Sequence, residues 1–220
     1  MQCHLRFCTS RVQQRSYTTY LSTLNTAGSG IELIFIDTET TGLDPLKCSI
    51  ISIGCVVYEN PSVRFYMEAR PDPEALIEDG ALSVNGFTRD YLASIGSAMY
   101  DMLAAFTEWY AENSKDYTVA GYNIDFDIAF IGQECIINSI RMIRIDRRID
   151  LKYLFETSDI YKGGRRRLDD LITALGLGIE RRPHNALNGA LAEAEAYARL
   201  VEKRSLLPQS DLDVIFMREI

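Results

Sequence analysis

Ile31-Glu32-Leu33-Ile34-Phe35-Ile36-Asp37-Thr38-Glu39-Thr40-Thr41-Gly42 is the stretch that decides the fold. Up to Asp37 it is apolar at odd and even positions alike, Ile31, Leu33 and Phe35 alternating with Ile34 and Ile36. Successive side chains of a strand point to opposite faces, so a short run apolar on both predicts a strand in the middle of a sheet. Asp37 and Glu39 stand two apart at its end and therefore share a face. Like charges that close repel unless a cation lies between them, and paired hard oxygens suit Mg²⁺ or Mn²⁺. Read alone, the pair is equally the polar end of a strand turning at Gly42.

Outward from this strand, Ile50 to Glu59 is a second β-rich run and Asn60-Pro61 a turn. From Ser62 to Arg70, Val63, Phe65, Met67 and Ala69 alternate with Arg64, Tyr66 and Glu68, the pattern of a half-exposed strand. Short links between the three predict an antiparallel meander. Ser97 to Glu112 carries Met102, Leu103, Phe106 and Tyr110 on one helical stripe. Tyr117 to Tyr122 reads as a fourth strand, Asp125 to Ile137 as a helix, and Ile149-Asp150-Leu151 as a last strand end. Leu168 to Leu175 is a short helix stopped by Gly176, and Ala190 to Glu202 an Ala- and Glu-rich helix ending before Pro208. Strands first, then strands alternating with helices, make a mixed-sheet α/β domain.

Two further stretches carry chemistry. In Gly121-Tyr122-Asn123-Ile124-Asp125-Phe126-Asp127 a strand hands over to a helix. Asn123 suits an N-cap and an acid in the first turn suits the helix dipole, which alone would explain both. The other is Pro183-His184-Asn185-Ala186-Leu187-Asn188-Gly189-Ala190-Leu191-Ala192-Glu193-Ala194. A lone His there is suited to proton transfer near neutral pH. Asn188-Gly189 reads as a turn, which would delay the helix start.

Asp-Thr-Glu-Thr-Thr-Gly-Leu at 37–43 resembles the first motif of the DEDD superfamily of 3′→5′ exonucleases. That superfamily includes ribonuclease T, oligoribonuclease and the proofreading subunit of bacterial replicative polymerase. The Asn123 and Phe126-Asp127 spacing resembles its second motif, with Tyr122 where many members have His, and the stretch around His184 resembles the third motif of its His-bearing branch. The likeness runs from about Ile31 to Leu200 and takes in Ala81-Leu82-Ser83-Val84-Asn85-Gly86-Phe87-Thr88.

This resemblance implies a ribonuclease H-like mixed sheet, its first three strands antiparallel, flanked by helices. It implies two divalent cations, Mg²⁺ or Mn²⁺, held by Asp37, Glu39 and Asp127, with His184 as general base. Thr38, Thr40, Leu43, Asn123 and Phe126 are the substrate-contacting positions it implies, Leu43 as a wedge against the terminal base. The implied partners are the 3′ end of single-stranded DNA or RNA and a polymerase or replication complex. One position departs from the pattern: five residues after the His the family has a metal-binding Asp, and here stands Gly189. Loss of that carboxylate leaves open a catalytically weak relative that binds nucleic-acid ends or a polymerase. Glu193, one helical turn on, is either a partial substitute or a solvated helix residue.

The remaining features set bounds. A net charge of −8 argues against coating nucleic acid through bulk positive charge, but not against an acidic pocket neutralised by cations. Five cysteines with no Cys-x-x-Cys pair suit free thiols in a reducing compartment, cytoplasmic or mitochondrial. No apolar run is long enough to span a bilayer. Residues 1–30 contain Arg6, Arg11 and Arg15 and no acid, so they read as a flexible leader or an organellar transit segment. The exonuclease domain is expected over 31–205. Residues 206–220 are expected to be a disordered tail, whose Gln209-Ser210-Asp211-Leu212 and Phe216 faintly resemble a sliding-clamp-binding peptide. Lys162-Gly163-Gly164-Arg165-Arg166-Arg167 is either a phosphate-binding loop or a solvated one.

Overall fold

Leu33–Thr40 (β1) is the central strand of a mixed sheet in the computed structural model, which describes residues 32–217. The leader and the transit reading of it lie outside those residues. Among the described residues the sheet has five strands in the order β3-β2-β1-β4-β5, with β2 Ile50–Val57, β3 Arg64–Glu68, β4 Thr118–Gly121 and β5 Arg147–Asp150. β1, β2 and β3 pair antiparallel, as the short links predict, and β1–β4 and β4–β5 pair parallel. Parallel neighbours need a crossover, and between β3 and β4 run α1 (Asp79–Asn85), α2 (Arg89–Ser94) and α3 (Met99–Asn113). α1 and α2 are too short to leave a clear helical period in the sequence.

The two faces of β1 are buried by different elements, as a strand apolar on both sides requires. Ile34 and Ile36 lie in one core with Met102, Leu103 and Phe106 of α3 and with Phe130 of α4 (Asp125–Ile137). On the opposite face Phe35 packs 5.7 Å from the ring of Tyr197 on α7 (Ala186–Tyr197). Burying one such aromatic contributes about 2–3 kcal/mol. The chain between β5 and α7 forms α5 (Leu151–Glu156), α6 (Leu168–Ala174) and the two-residue β6 (Ile179–Glu180).

α7 begins four residues before the expected start at Ala190. The Asn185 side chain accepts hydrogen bonds from the backbone N–H groups of Leu187 and Asn188, at 3.0 and 3.3 Å, and so caps the helix. That cap overrides the turn tendency of Asn188-Gly189. A π-helical turn over Ala198–Glu202 ends the element. Small residues let α7 lie close on the sheet. At Gly54 of β2 an added Cβ would stand 2.1 Å from the carbonyl carbon of Ala186 and 2.2 Å from the amide nitrogen of Leu187. Only glycine fits that contact.

The expected disordered tail is folded over residues 209–217. Gln209–Ile215 forms α8, Phe216–Met217 (β7) pairs with β6, and Leu212, Ile215 and Phe216 are buried. Leu212 and Phe216 are therefore unavailable to a clamp. Glu195, fully buried on α7, holds the entry to this segment by accepting from Arg199, Ser205 and the backbone N–H groups of Leu206 and Leu207.

Candidate active site

The pairing of β1 with β4 covers only Leu33 to Phe35. Beyond it β4 leaves the sheet at Gly121, turns through Asn123 in the left-handed region (φ 62°), and enters α4. This opens a space at the carboxyl ends of two parallel strands, where ligands of α/β sheets gather. Asp37 and Glu39 sit there on the face that α7 covers. Asp127, in the first turn of α4, enters from the other side. Its carboxylate accepts from the Thr38 hydroxyl at 2.7 Å and is almost wholly buried.

Asn123 is exposed and does not cap α4, because its left-handed backbone carries the turn and the helix starts after Ile124 without a side-chain cap. Thr40 is also committed internally, its hydroxyl donating to the Gly42 carbonyl at 2.7 Å. Leu43 is 76% exposed immediately beyond the strand end. Phe126 is half-buried, with its ring 4.8 Å from that of Phe130.

Two further acids join the cluster: Glu193, which the helical spacing had offered as a partial substitute, and Glu180, which no motif marked. Glu193 on α7 is 2% exposed, which corrects the solvated alternative, and it is the charge that most strongly affects Asp37. Glu180 on β6 is buried as well, and it is the charge that most strongly affects Glu39. Periodicity could not have marked Glu180, because β6 is two residues long, and it could not choose between the two readings of Glu193, because α7 is covered on nearly every side.

Gly189 lies against Asp37. A Cβ placed on Gly189 would stand 2.2 Å from Asp37 Oδ2, so the Asp37 carboxylate occupies the space a side chain at 189 would need.

Burial and crowding raise the proton affinity of the whole group. Asp37 is pushed well above the usual carboxylate range by burial and then by Glu193, Glu39, Asp127 and Glu180. Glu39 is raised to about 8 by burial, Glu180 and Asp127. Asp127 is raised to about 7 by burial, against the lowering effect of the Thr38 hydrogen bond. Glu180 reaches about 7 through burial and Asp169.

Between about pH 4.5 and 8 the cation-free fold therefore holds more protons than the unfolded chain, whose carboxylates titrate near 4. The resulting stability is fully present below the unfolded pKa and is lost as pH rises through the folded values. The melting temperature of chelator-treated protein should fall from pH 5 to pH 8, and millimolar Mg²⁺ or Mn²⁺ should restore it at pH 8. A flat or rising profile in EDTA would contradict this account of the site.

The fold family implies divalent cations, and the residues present suit them. The donors are hard carboxylate oxygens at a strand end, and one of them, Glu193 Oε2, is buried with no hydrogen-bond partner. As the side chains stand, no three acidic, imidazole or thiol groups among the described residues form a ligand set. Ligation therefore entails side-chain rotation.

His184 is not joined to this cluster by a hydrogen bond among the described residues. It lies in the segment between β6 and α7, half-buried, and lines a cavity of about 400 Å³ with Tyr66, Glu68, Asn85, Phe87 and Tyr91. Burial and Arg182 hold its pKa below the usual value, against the opposing pull of Asp169. The imidazole is thus neutral, and able to accept a proton, near pH 7. Phe87 and Tyr91 stack at 5.7 Å. Of the basic loop, Arg166 and Arg167 pair with Glu156 and Asp170, and Arg165 forms no ion pair among the described residues.

The sequence model of the exonuclease family RNase_T matches residues 34–197. The 3′-5′ DNA exonuclease Cap18 of Escherichia coli is 36% identical over 101 residues, 44% of this chain and 54% of that protein. This chain therefore matches about half of that relative's length. The DNA polymerase III subunit epsilon of Rickettsia conorii is 27% identical over 184 residues, 80% of this chain and 76% of its own.

Among solved structures, the nuclease domain of 3′hExo, a DEDDh family member bound to rAMP, superposes with a TM-score of 0.65 at 18% identity, covering 83% of this chain and 98% of that one. The E. coli ExoI–ssDNA complex gives 0.63 at 22% identity, covering 79% and 40%. These two likenesses show the fold. With the family match running from β1 through α7, and so across every acid of the cluster, the chain belongs to the RNase_T exonuclease family, within the DEDD 3′→5′ exonuclease superfamily.

Proposed function

We propose that the protein is a 3′→5′ exonuclease acting on the 3′ end of single-stranded DNA or RNA. The observation that carries this reading is the convergence of Asp37, Glu39 and Asp127 at the open end of β1, beside a cavity that holds a neutral His184. Asp37, Glu39 and Asp127 would hold two divalent cations, Mg²⁺ or Mn²⁺. Bound there, such ions acidify water and stabilise charge developing on the phosphate.

The chain's own groups do the rest. His184 accepts a proton from the attacking water. The water oxygen bonds to phosphorus and the bond from phosphorus to the preceding O3′ breaks, releasing a 5′-phosphorylated nucleotide and a 3′-oxyanion that takes a proton from solvent to become the new 3′-hydroxyl. The Thr38 hydroxyl keeps Asp127 in place. Exposed Leu43 wedges at the terminal base, and Thr40, Asn123 and Phe126 are the further substrate contacts that the motifs suggest. Tyr66, Phe87 and Tyr91 offer aromatic faces for stacking bases, and Arg165 a cation for a backbone phosphate.

A polymerase or replication complex is the protein partner suggested by the epsilon-subunit relatives. Cys48, Cys55 and Cys135 are free and buried, which suits a reducing compartment, cytoplasmic or mitochondrial. Among the described residues no helix is long and apolar enough to cross a membrane.

The test is a single-stranded oligonucleotide labelled at its 5′ end. With Mg²⁺ or Mn²⁺ it should shorten one nucleotide at a time from the unlabelled end, and EDTA should stop it. Immediate release of a labelled mononucleotide would mean 5′→3′ polarity and overturn the reading. Gly189 favours a second reading, because no side chain at 189 reaches the cluster. In that case the chain retains oligonucleotide 3′ ends in a filter assay but does not shorten them.

A further inference from the structure

Glu193 is in the wrong place for a structural acid. It lies one turn beyond Gly189 on the face of α7 that meets the sheet, 2% exposed. One carboxylate oxygen, Oε1, accepts the backbone N–H of Tyr122 at 2.9 Å. The other, Oε2, has no partner, and it is directed toward Gly121 at the end of β4, 3.4 Å from where a Cβ would stand. A buried carboxylate normally ends on a cation, an arginine or several N–H groups, because burying a charge unpaired is strongly unfavourable.

Two buried acids outside the cluster follow that rule. Glu195 is met by Arg199, Ser205 and two backbone N–H groups, and Glu134 by Ser49, Ile50 and Asn138. Around Glu193, instead, the neighbouring charges are Asp37, Asp127, Glu180 and Asp150, all acidic. A buried, unpartnered carboxylate oxygen whose charged neighbours are all acidic lacks one thing, a cation.

We infer that Glu193 is a metal ligand in this protein and supplies, from one turn further along α7, the carboxylate that Gly189 lacks. The inference rests on the exonuclease reading and sharpens it. Gly189 makes the substitution possible, because it leaves its space to the Asp37 carboxylate. The Tyr122 N–H fixes one oxygen and leaves the other free to ligate.

The test measures Mn²⁺ binding to the full chain by calorimetry, together with the rise in melting temperature on adding Mn²⁺. Glu193→Gln keeps the shape and an oxygen for the Tyr122 N–H but removes the charge. Its metal-free melting temperature should equal or exceed that of the parent, since one buried like charge is gone. Its Mn²⁺ affinity should fall by about tenfold to a hundredfold, the range seen when support of a metal site is lost. Adding Gly189→Asp to Glu193→Gln should restore much of that affinity.

Parent-like Mn²⁺ binding by Glu193→Gln, alongside lost binding in Asp37→Asn, would overturn the inference and leave the proposed function standing. A parent protein that neither binds Mn²⁺ nor shortens a 3′ end would overturn both. Should Glu193→Gln not fold, Glu193→Asp, which withdraws the carboxylate by one methylene, is judged by the same affinity criterion.

Discussion

Asp37→Asn should reduce 3′-end degradation by about a thousandfold or more, the loss expected when roughly 4 kcal/mol of transition-state stabilisation disappears. Asp37 is the point where the cluster closes: it faces Glu39 along β1, Gly189 across the interface with α7, and Glu193 one turn further. The fold should survive the change. Its carboxylate is crowded by four other acids, so removing the charge relieves repulsion, and the melting temperature without added cations should stay level or rise. Rates from single-turnover assays, paired with melting curves, check both halves. An Asp37→Asn protein that is fully active refutes the site, whereas one that is inactive only because it is unfolded leaves the electrostatic account wrong.

Gly54→Ala should act through packing instead. The added methyl would stand about 2 Å from the backbone of Ala186 and Leu187, and backbone cannot rotate away as a side-chain tip can. Overpacking of this kind costs typically about 1–3 kcal/mol, occasionally more, and a clash with main chain belongs at the upper end. Gly54 pairs with Asp37 in the β1–β2 register, so lifting α7 there displaces Gly189 and Glu193 from Asp37 directly. Denaturant midpoints should fall, and activity should fall further than the lost folded population explains. A variant of unchanged stability would mean that α7 does not sit as close to β2 as described.

What was legible in the chain divides along the range of the forces involved. β1 showed itself because burial on both faces leaves a local pattern, and α4 because its apolar positions and the acid near its start lie within one segment. The antiparallel order of the first three strands followed from short links. The start of α7 was misplaced because Asn188-Gly189 is a turn signal in isolation, whereas Asn185 capping and contact with β2 decide the matter. The tail was misread because α8 has only seven residues, and its three buried side chains gain their meaning from the surface they cover. Asp37, Glu39 and Asp127 could be named from motifs. Glu193 could be offered as a substitute from helical spacing, but its burial, and any place for Glu180, emerge only when α7 and β6 are laid against the sheet. The need for glycine at 54 is likewise invisible until a helix arrives over it.

The contact at Gly54 also bears on dynamics. With its backbone against β2, α7 has no slack to slide or roll, so the spacing between the helix and the strand acids behaves as a rigid dimension of the fold. His184 sits just upstream of that anchor, after Arg181, Arg182 and Pro183, all exposed, in a stretch bounded by the short β6 and the Asn185 cap. The imidazole is thus carried by a segment outside the rigid contact of α7 with β2, whereas the backbone of the strand acids lies within it.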